Sequence, residues 1–259
     1  MSEPAAQPLR LSDPSGWVKA HVVPFVLFMG MLLLLQFGSE AFQWDHPAAP
    51  WWRRWPEQWA YPLQTIVCLA YLAKRWRYYE FDWSLKWSGV AILCGALGIF
   101  LWLLPTMLYD RWQLSGETTG WMKWLGIQER KEGFDPHVFS NPAAYGASLV
   151  MRFVRAAVAV ALIEEIFWRG FLMRFLSDRD GDYWKLPFGR HTWLGFAGCT
   201  GAFTLAHSPT DYAAAFLYGA ITYLLSITSK SLGACAVMHA TANFLMGCFI
   251  MAYGKYGLW

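Results

Sequence analysis

The chain of 259 residues is 56% hydrophobic and only 15% charged, and it contains 17 tryptophans. Soluble proteins carry about 25% charged residues, so this composition excludes an ordinary soluble protein and indicates an integral membrane protein. The net charge of +3 is small, and the Lys and Arg residues are spread over many loops, so nothing indicates a nucleic-acid partner. The apolar blocks are close to the roughly 20 residues that a helix needs to cross a bilayer, which predicts an all-α, polytopic helical bundle.

The first 142 residues contain three apolar blocks, at 22–37, 60–73 and 87–108, which we interpret as scaffold spans. The polar residues 1–19 show no cleavable signal, so the first block is expected to remain in the protein as a span. Tryptophans collect in the connection at 44–59, which we expect on the membrane surface because amphipathic rings favour the headgroup region. Residues 110–142 predict an exposed loop with an interfacial helix.

From residue 143 the chain stays compatible with a helix to about residue 176, which is too long for one perpendicular crossing. We place the fourth span at 156–176. Arg152 and Arg155 then lie at the membrane interface where this span begins. Three further spans are predicted at 192–206, 212–228 and 232–252. The expected architecture is a single membrane domain of seven to eight spans, with 1–142 as scaffold and 143–252 as the functional core.

Charge and cysteine placement add three expectations. Lys and Arg residues are in modest excess at the span ends on the N-terminal side, so the positive-inside rule predicts a cytoplasmic N-terminus. We expect the protein in a bacterial inner membrane. The five cysteines all lie in apolar blocks without the spacing of a metal or redox motif, which favours buried packing thiols. The sequence does not define an oligomeric state.

Two adjacent carboxylates, Glu164 and Glu165, stand in an otherwise apolar run. A charged residue at the centre of a spanning helix costs roughly 2.5 to 3.5 kcal/mol, so such residues usually pair, line a wet cavity or take part in chemistry. Glu165 and Arg169 are four residues apart and therefore predict an ion pair on one helix face. Glu164 points about 100° away and must find its partners on other helices.

Few polar side chains in the last spans could be those partners. His207 shares a helix face with Phe203, and His239 shares one with Asn243. Each histidine alone is better explained as a satisfied core or interfacial residue, and Asn243 alone as a helix-to-helix contact. Together with Glu164 they predict a polar chamber inside the membrane.

Such a chamber could hydrolyse a peptide bond without a nucleophilic Ser or Cys. A carboxylate and an imidazole that share a water form a general-base pair, and a second imidazole with an amide N–H could stabilise the oxyanion. Two histidines and a glutamate could instead bind zinc. The sequence has no His-Glu-x-x-His helix, so zinc stays the less favoured alternative, and no other cofactor is expected.

Three segments resemble, in order, the motifs of the CAAX prenyl protease and bacteriocin-processing (CPBP, Abi) family of intramembrane endopeptidases. They are Glu164-Glu165-Ile166-Phe167-Trp168-Arg169, Phe203-Thr204-Leu205-Ala206-His207 and His239-Ala240-Thr241-Ala242-Asn243. The resemblance covers roughly residues 143 to 252. The Trp-rich N-terminal half is also similar to a bacterial branch found beside exosortase protein-sorting systems.

The resemblance implies a metal-independent, glutamic-type membrane endopeptidase. Glu164 and His207 would activate the water, and His239 with Asn243 would form the oxyanion site. Glu165, Arg169 and Phe203 would support them. The expected partner is a membrane-embedded or membrane-anchored peptide, and prenylated substrates, typical of eukaryotic members, are not carried over. A non-catalytic binding, immunity or regulatory protein of the same fold and a proton-coupled carrier remain as alternatives.

Overall fold

The computed structural model describes residues 9–44, 46, 48–131, 133 and 135–259. Within these residues the regular structure is helical throughout, with no strand. The main helices are α1 Pro14–Phe42, α2 Glu57–Lys74, α3 Leu85–Arg111, α4 Pro142–Ser177, α5 Trp193–Leu205, α6 Tyr212–Ser229 and α7 Leu232–Tyr253. Single helical turns lie at Leu9–Ser12, Trp51–Arg54, Trp76–Tyr78, Trp121–Trp124, Pro136–Val138, Tyr183–Lys185, Pro209–Asp211 and Tyr256–Leu258.

Every predicted span coincides with one of these helices, but the predicted count of seven to eight spans is not confirmed. In the described part of the chain, five segments are long and apolar enough to cross a membrane: Pro14–Gly38, Leu85–Arg111, Pro142–Ser177, Pro209–Ser229 and Leu232–Tyr253. Helix α5 has only 13 residues. Helix α2 has 18 residues but carries polar side chains along its length and a charged residue at each end. The five apolar helices make the chain an integral membrane protein.

Helix α4 is a continuous helix of 36 residues, as predicted from the uninterrupted pattern after residue 143. Asn141 caps its start, since the side-chain carbonyl accepts hydrogen bonds from the amides of Ala143 and Ala144. Two wide π-helical stretches, Val154–Val160 and Ile166–Leu172, flank the α-helical turn Ala161–Glu165. π-Helical turns change the direction in which the following side chains point and occur often at functional sites. The two glutamates therefore lie in a short α-helical turn between the two irregular stretches of α4.

The last three helices are joined by tight, capped connections. The hydroxyl of Thr192 accepts a hydrogen bond from the Gly195 amide at the start of α5, and Ser231 does the same for Ala234 in α7. Lys230 ends α6 with a positive φ of 56°. This connection turns the chain directly from α6 into α7.

The N-terminal helices pack directly on the helices that carry the predicted site residues. A Cβ atom on Gly95 of α3 would lie 2.5 Å from the carbonyl oxygen of Met238 in α7. One on Gly98 would lie 2.8 Å from the ring of Tyr218 in α6. Glycine at these positions therefore permits the close approach of α3 to both helices.

Most of the described residues between α3 and α4 are exposed, as predicted, but a few are buried against neighbouring segments. Arg130 is buried and forms an ion pair of 2.6 Å with Asp211, just before α6. The carbonyl of Arg130 accepts a hydrogen bond from the Gly257 amide. Lys255 pairs with Asp110 at 2.7 Å. Because these contacts bind the segment to both the start of α6 and the chain end, it is a cap on this end of the bundle.

We expect Gly95→Ala to destabilise the protein by about 1 to 3 kcal/mol, because the added methyl group meets backbone that cannot rotate away. The control is Gly89→Ala in the same helix, where a Cβ has nothing within 4 Å. That change should leave stability equal or slightly higher, since alanine favours a helix. Thermal unfolding of the detergent-solubilised variants measures both effects. Equal melting temperatures for the two variants would contradict the close α3–α7 packing.

Candidate active site

The centre of the site is the fully buried carboxylate of Glu165. Its Oε1 accepts one hydrogen bond from Arg169 Nη1 at 3.1 Å and another from His239 Nδ1 at 2.8 Å. The ion pair within α4 is the one predicted from the spacing. The bond to His239 adds a link from α4 to α7, which the sequence did not reveal. Glu165 therefore fixes the position of the His239 ring.

Arg169 is fully buried and connects four helices through its guanidinium group. Besides Glu165, its Nη2 donates to the carbonyl of Gly219 in α6 at 3.4 Å, and its Cζ lies 5.0 Å from the centre of the Phe203 ring in α5. Since Glu165 holds His239 of α7, one cation and one carboxylate connect α4, α5, α6 and α7. Phe203, predicted as a supporting residue, lies in this network.

Glu164 is partly buried and stands apart from the ion pair. Its Oε2 accepts a hydrogen bond from the indole Nε1 of Trp168 at 3.3 Å. Trp168 is one helical turn further along α4, so the expectation that Glu164 has no local partner is wrong. The partner is a neutral donor. Among the described residues, no Lys or Arg nitrogen lies within 4.0 Å of the Glu164 carboxylate.

His207 lies just after the end of α5 with one nitrogen committed to the backbone. Nδ1 donates to the carbonyl of Phe203 at 2.7 Å, which leaves Nε2 without a proton and able to act as a base when the ring is neutral. The ring lies 4.5 Å from that of Phe203 and 5.2 Å from that of Trp102 in α3. Helix α3, in the N-terminal half of the chain, therefore also contributes to the surroundings of His207.

By residue count, the shortness of α5 leaves His207 about as far from the loop between α4 and α5 as Glu164 is. Glu164 stands about 13 residues before the end of α4, and His207 about 14 residues after the start of α5, so both lie roughly 20 Å from the connecting loop. That distance is less than the roughly 30 Å of a hydrocarbon core. A full-length span would have carried His207 to the far surface.

His239 and Asn243 lie one turn apart on α7 and contact different residues of α4. His239 is bonded to Glu165, whereas Asn243 Nδ2 donates to the carbonyl of Ala156 at 2.7 Å. One N–H of the amide is therefore used between helices, and the other remains for a ligand. In the described part of the chain, no hydrogen bond joins Glu164 to His207, and none joins either to Asn243.

Three aromatic residues of the site were not identified from the sequence: Trp168, Trp102 and Tyr218. Tyr218 of α6 is buried, lies 5.7 Å from the His239 ring and stacks on Phe203 at 6.0 Å. The four-residue spacing from Glu164 could have indicated Trp168. No local signal marks the other two, because their contacts depend on how α3 and α6 pack.

The polar side chains do not form a metal-binding cluster within the described residues. No group of three or more His, Cys, Asp or Glu side chains there is close enough to hold a metal ion. The cysteines are free, with Cys68, Cys199 and Cys235 buried and Cys94 partly buried, whereas Cys248 is exposed, so the expectation of a buried thiol is wrong for Cys248. Metal-independent chemistry stays a prediction, which the experiment on chelation below addresses.

Residues 146–245 match the model of the family described as type II CAAX prenyl endopeptidase, Rce1-like. This segment is an Rce1-like domain. It contains α4 from its second turn, all of α5 and α6, and most of α7, together with every predicted site residue. No curated protein and no solved structure gives a match to the chain. The family resemblance seen in the three motifs is confirmed for the Rce1-like domain, and the family indicates a membrane protease.

We expect Arg169→Met to destabilise the protein strongly, by about 3 to 5 kcal/mol, because the Glu165 carboxylate would remain buried beside His239 without its cation. The double variant Glu165→Gln/Arg169→Met removes both charges and should recover part of that loss. Thermal unfolding in one detergent, read as a double-mutant cycle, measures the coupling. If Arg169→Met were as stable as the wild type, the ion pair would not hold the four helices together.

Proposed function

We propose that the protein is an intramembrane endopeptidase that hydrolyses a peptide bond of a membrane-embedded or membrane-anchored peptide with a directly activated water. One observation carries this proposal. Within the Rce1-like domain, a carboxylate that accepts a hydrogen bond from a neutral indole and a histidine with a free Nε2 lie on the consecutive helices α4 and α5. Both groups can accept a proton from a water held between α4 and α5.

Glu164 and His207 have complementary parts in the proposed reaction. The water adds to the peptide carbonyl carbon while its proton passes to Glu164 or to Nε2 of His207. The same proton is then delivered to the nitrogen of the scissile bond as that bond breaks, which leaves a carboxylic acid and an amine. The indole of Trp168 orients the Glu164 carboxylate through its hydrogen bond.

His239 and Asn243 are proposed to stabilise the oxyanion formed on the carbonyl oxygen. Because Nδ1 of His239 donates to Glu165, its Nε2 can donate to an oxyanion only when the ring is protonated. The remaining N–H of Asn243 would supply the second donor. Removal of one such donor typically lowers kcat by about 10² to 10³.

The proposal includes the setting of the enzyme. We place it in a bacterial inner membrane with its N-terminus in the cytoplasm, on the distribution of Lys and Arg around the helices. If all seven main helices are counted as crossings, as the sequence predicts, the loops that follow α2 and α4 are cytoplasmic. The segment between α3 and α4 and the end of α7 lie on the opposite side.

We expect Glu164→Gln to abolish cleavage of a membrane-anchored peptide by the purified protein, and His207→Ala to reduce it at least about 10²-fold. The matched controls are Glu117→Gln and His46→Ala, both in exposed connections, and these should retain wild-type rates. Product formation in liposomes, measured by mass spectrometry at matched amounts of folded protein, gives the result.

The same assay with a strong chelator tests the absence of a metal. Unchanged rates support direct activation of water, whereas a loss that added zinc restores would replace the proposal by a metal site. Cleavage that survives both site substitutions would contradict the assigned residues. Association with a peptide that persists without any cleavage, in wild type and variants alike, would favour the non-catalytic binding protein.

A further inference from the structure

Tyr218 of α6 has a buried hydroxyl group that the fold leaves unpaired. The side chain is 3% exposed, and its oxygen forms no hydrogen bond within the described residues. An unsatisfied buried hydroxyl group costs free energy, and phenylalanine would fill the same space without that cost. A tyrosine at this position therefore indicates a hydrogen-bond partner from outside the chain.

The other buried tyrosines differ from Tyr218 in this respect. In the part of the chain that the structure describes, each of them donates a hydrogen bond from its hydroxyl group to a protein oxygen at 2.7 to 3.1 Å. The pairs are Tyr78 with the Asp13 carboxylate, Tyr79 with the carbonyl of Ala20, Tyr109 with that of Gly116 and Tyr223 with that of Thr192. The fold therefore pairs its buried phenols elsewhere, and the exception lies in the candidate active site.

Packing from α3 and α5 restricts the Tyr218 ring. The ring stacks on Phe203 and meets Trp102 edge-on, with ring centres 6.0 Å apart in both pairs. A Cβ atom on Gly98 of α3 would lie 2.8 Å from the same ring, so the α3 backbone lies close against it. The position of the hydroxyl group is therefore set by how the ring packs, before any ligand binds.

The neighbours of Tyr218 include residues from both parts of the proposed catalytic site. Its ring lies 5.7 Å from that of His239, which is assigned to the oxyanion. Its other two ring neighbours, Phe203 and Trp102, are also the rings that lie 4.5 and 5.2 Å from His207. Tyr218 therefore stands beside the place where a peptide carbonyl group would meet the attacking water.

The chemistry of a phenol favours one role at this place. Glu164 and His207 are acceptors and are assigned to the proton of the water, whereas a phenol is protonated at neutral pH and acts as a donor. The developing negative charge on the carbonyl oxygen needs donors. His239 can donate there only when its ring is protonated, but a hydroxyl group donates without any change in charge.

We propose that Tyr218 is a further catalytic residue, whose hydroxyl group donates a hydrogen bond to the oxyanion beside His239. The inference rests on the proposed function, because the oxyanion forms only if water attacks a peptide carbonyl group. As the water oxygen bonds to the carbonyl carbon, the π electron pair moves onto the carbonyl oxygen, which accepts the hydrogen bond. The phenol keeps its proton throughout, and the bond weakens when the C=O double bond forms again and the amine leaves.

The first test compares Tyr218→Phe with Tyr223→Phe, a buried tyrosine of the same helix whose hydroxyl group is paired by the fold. In liposomes with a membrane-anchored peptide, Tyr218→Phe should lower kcat by about 10²-fold and leave KM within about twofold. Its melting temperature should equal that of the wild type or exceed it, since no internal hydrogen bond is lost. Tyr223→Phe should keep the wild-type kcat and melt about 2 to 4 °C lower.

The second test measures binding and needs no turnover. The probes are dansylated pools of apolar hexapeptides in which a phosphinate replaces the central peptide bond, together with the same pools carrying the ordinary bond. The phosphinate imitates the tetrahedral oxyanion. Fluorescence anisotropy with the wild-type protein in detergent should show at least about tenfold tighter binding of the phosphinate pool. Tyr218→Phe should lose most of this preference, and Tyr223→Phe should retain it.

Three results would overturn the role of Tyr218. The first is a kcat equal to that of the wild type in Tyr218→Phe. The second is a loss of stability in Tyr218→Phe as large as that in Tyr223→Phe, or a failure to fold, since the hydroxyl group would then serve the structure. The third is a phosphinate preference that Tyr218→Phe leaves unchanged, or no such preference in the wild type.

Cleavage by the wild-type protein is read separately from these comparisons. If no membrane-anchored peptide is cleaved, the proposed function is contradicted, and the phosphinate measurement still decides whether Tyr218 binds a tetrahedral oxyanion. If the wild type cleaves and Tyr218→Phe cleaves equally well, the proposed function stands and the role of Tyr218 is overturned.

Discussion

The structure of the C-terminal half depends on one buried carboxylate. Glu165 takes a hydrogen bond from Arg169 and another from His239, and Arg169 continues to Gly219 and Phe203. In apolar surroundings a charge without a partner is costly, so these contacts restrict how α4, α5, α6 and α7 can be arranged. The same contacts orient His239 and hold Phe203, whose carbonyl group binds His207. Structural and proposed catalytic residues are therefore parts of a single network.

Sequence reasoning identified the parts of the site that follow from helical spacing. The Glu165–Arg169 pair is separated by four residues, as is the contact from His207 back to Phe203, and both are present. The long continuous α4 was also predicted, because no Gly or Pro punctuates the apolar pattern after Gly146 before the glutamates. Such local relations can be read from one sequence because a helix fixes them.

What the sequence did not reveal depends on contacts between distant segments or on small changes in helix length. The bond from His239 to Glu165 crosses 74 positions of the chain, and Trp102 reaches His207 from α3. Because α5 is short, His207 lies about as many residues from the loop between α4 and α5 as Glu164 does, which would not hold for an α5 of full span length. The span count is not confirmed for the same reason, since apolar composition alone does not separate a crossing helix from a short buried one. Nor does spacing show that Asn243 uses one N–H to bind Ala156.

The central claim is that water attacks the peptide directly, without an acyl-enzyme. The most direct test is cleavage of a membrane-anchored peptide in water enriched in ¹⁸O, in the presence of hydroxylamine as a competing nucleophile. We expect the new carboxyl group to carry one ¹⁸O atom and no hydroxamate to form, because no covalent intermediate is available for hydroxylamine to intercept. A hydroxamate product would contradict the account, since it would require a nucleophilic side chain, such as one of the cysteines, in place of Glu164 and His207.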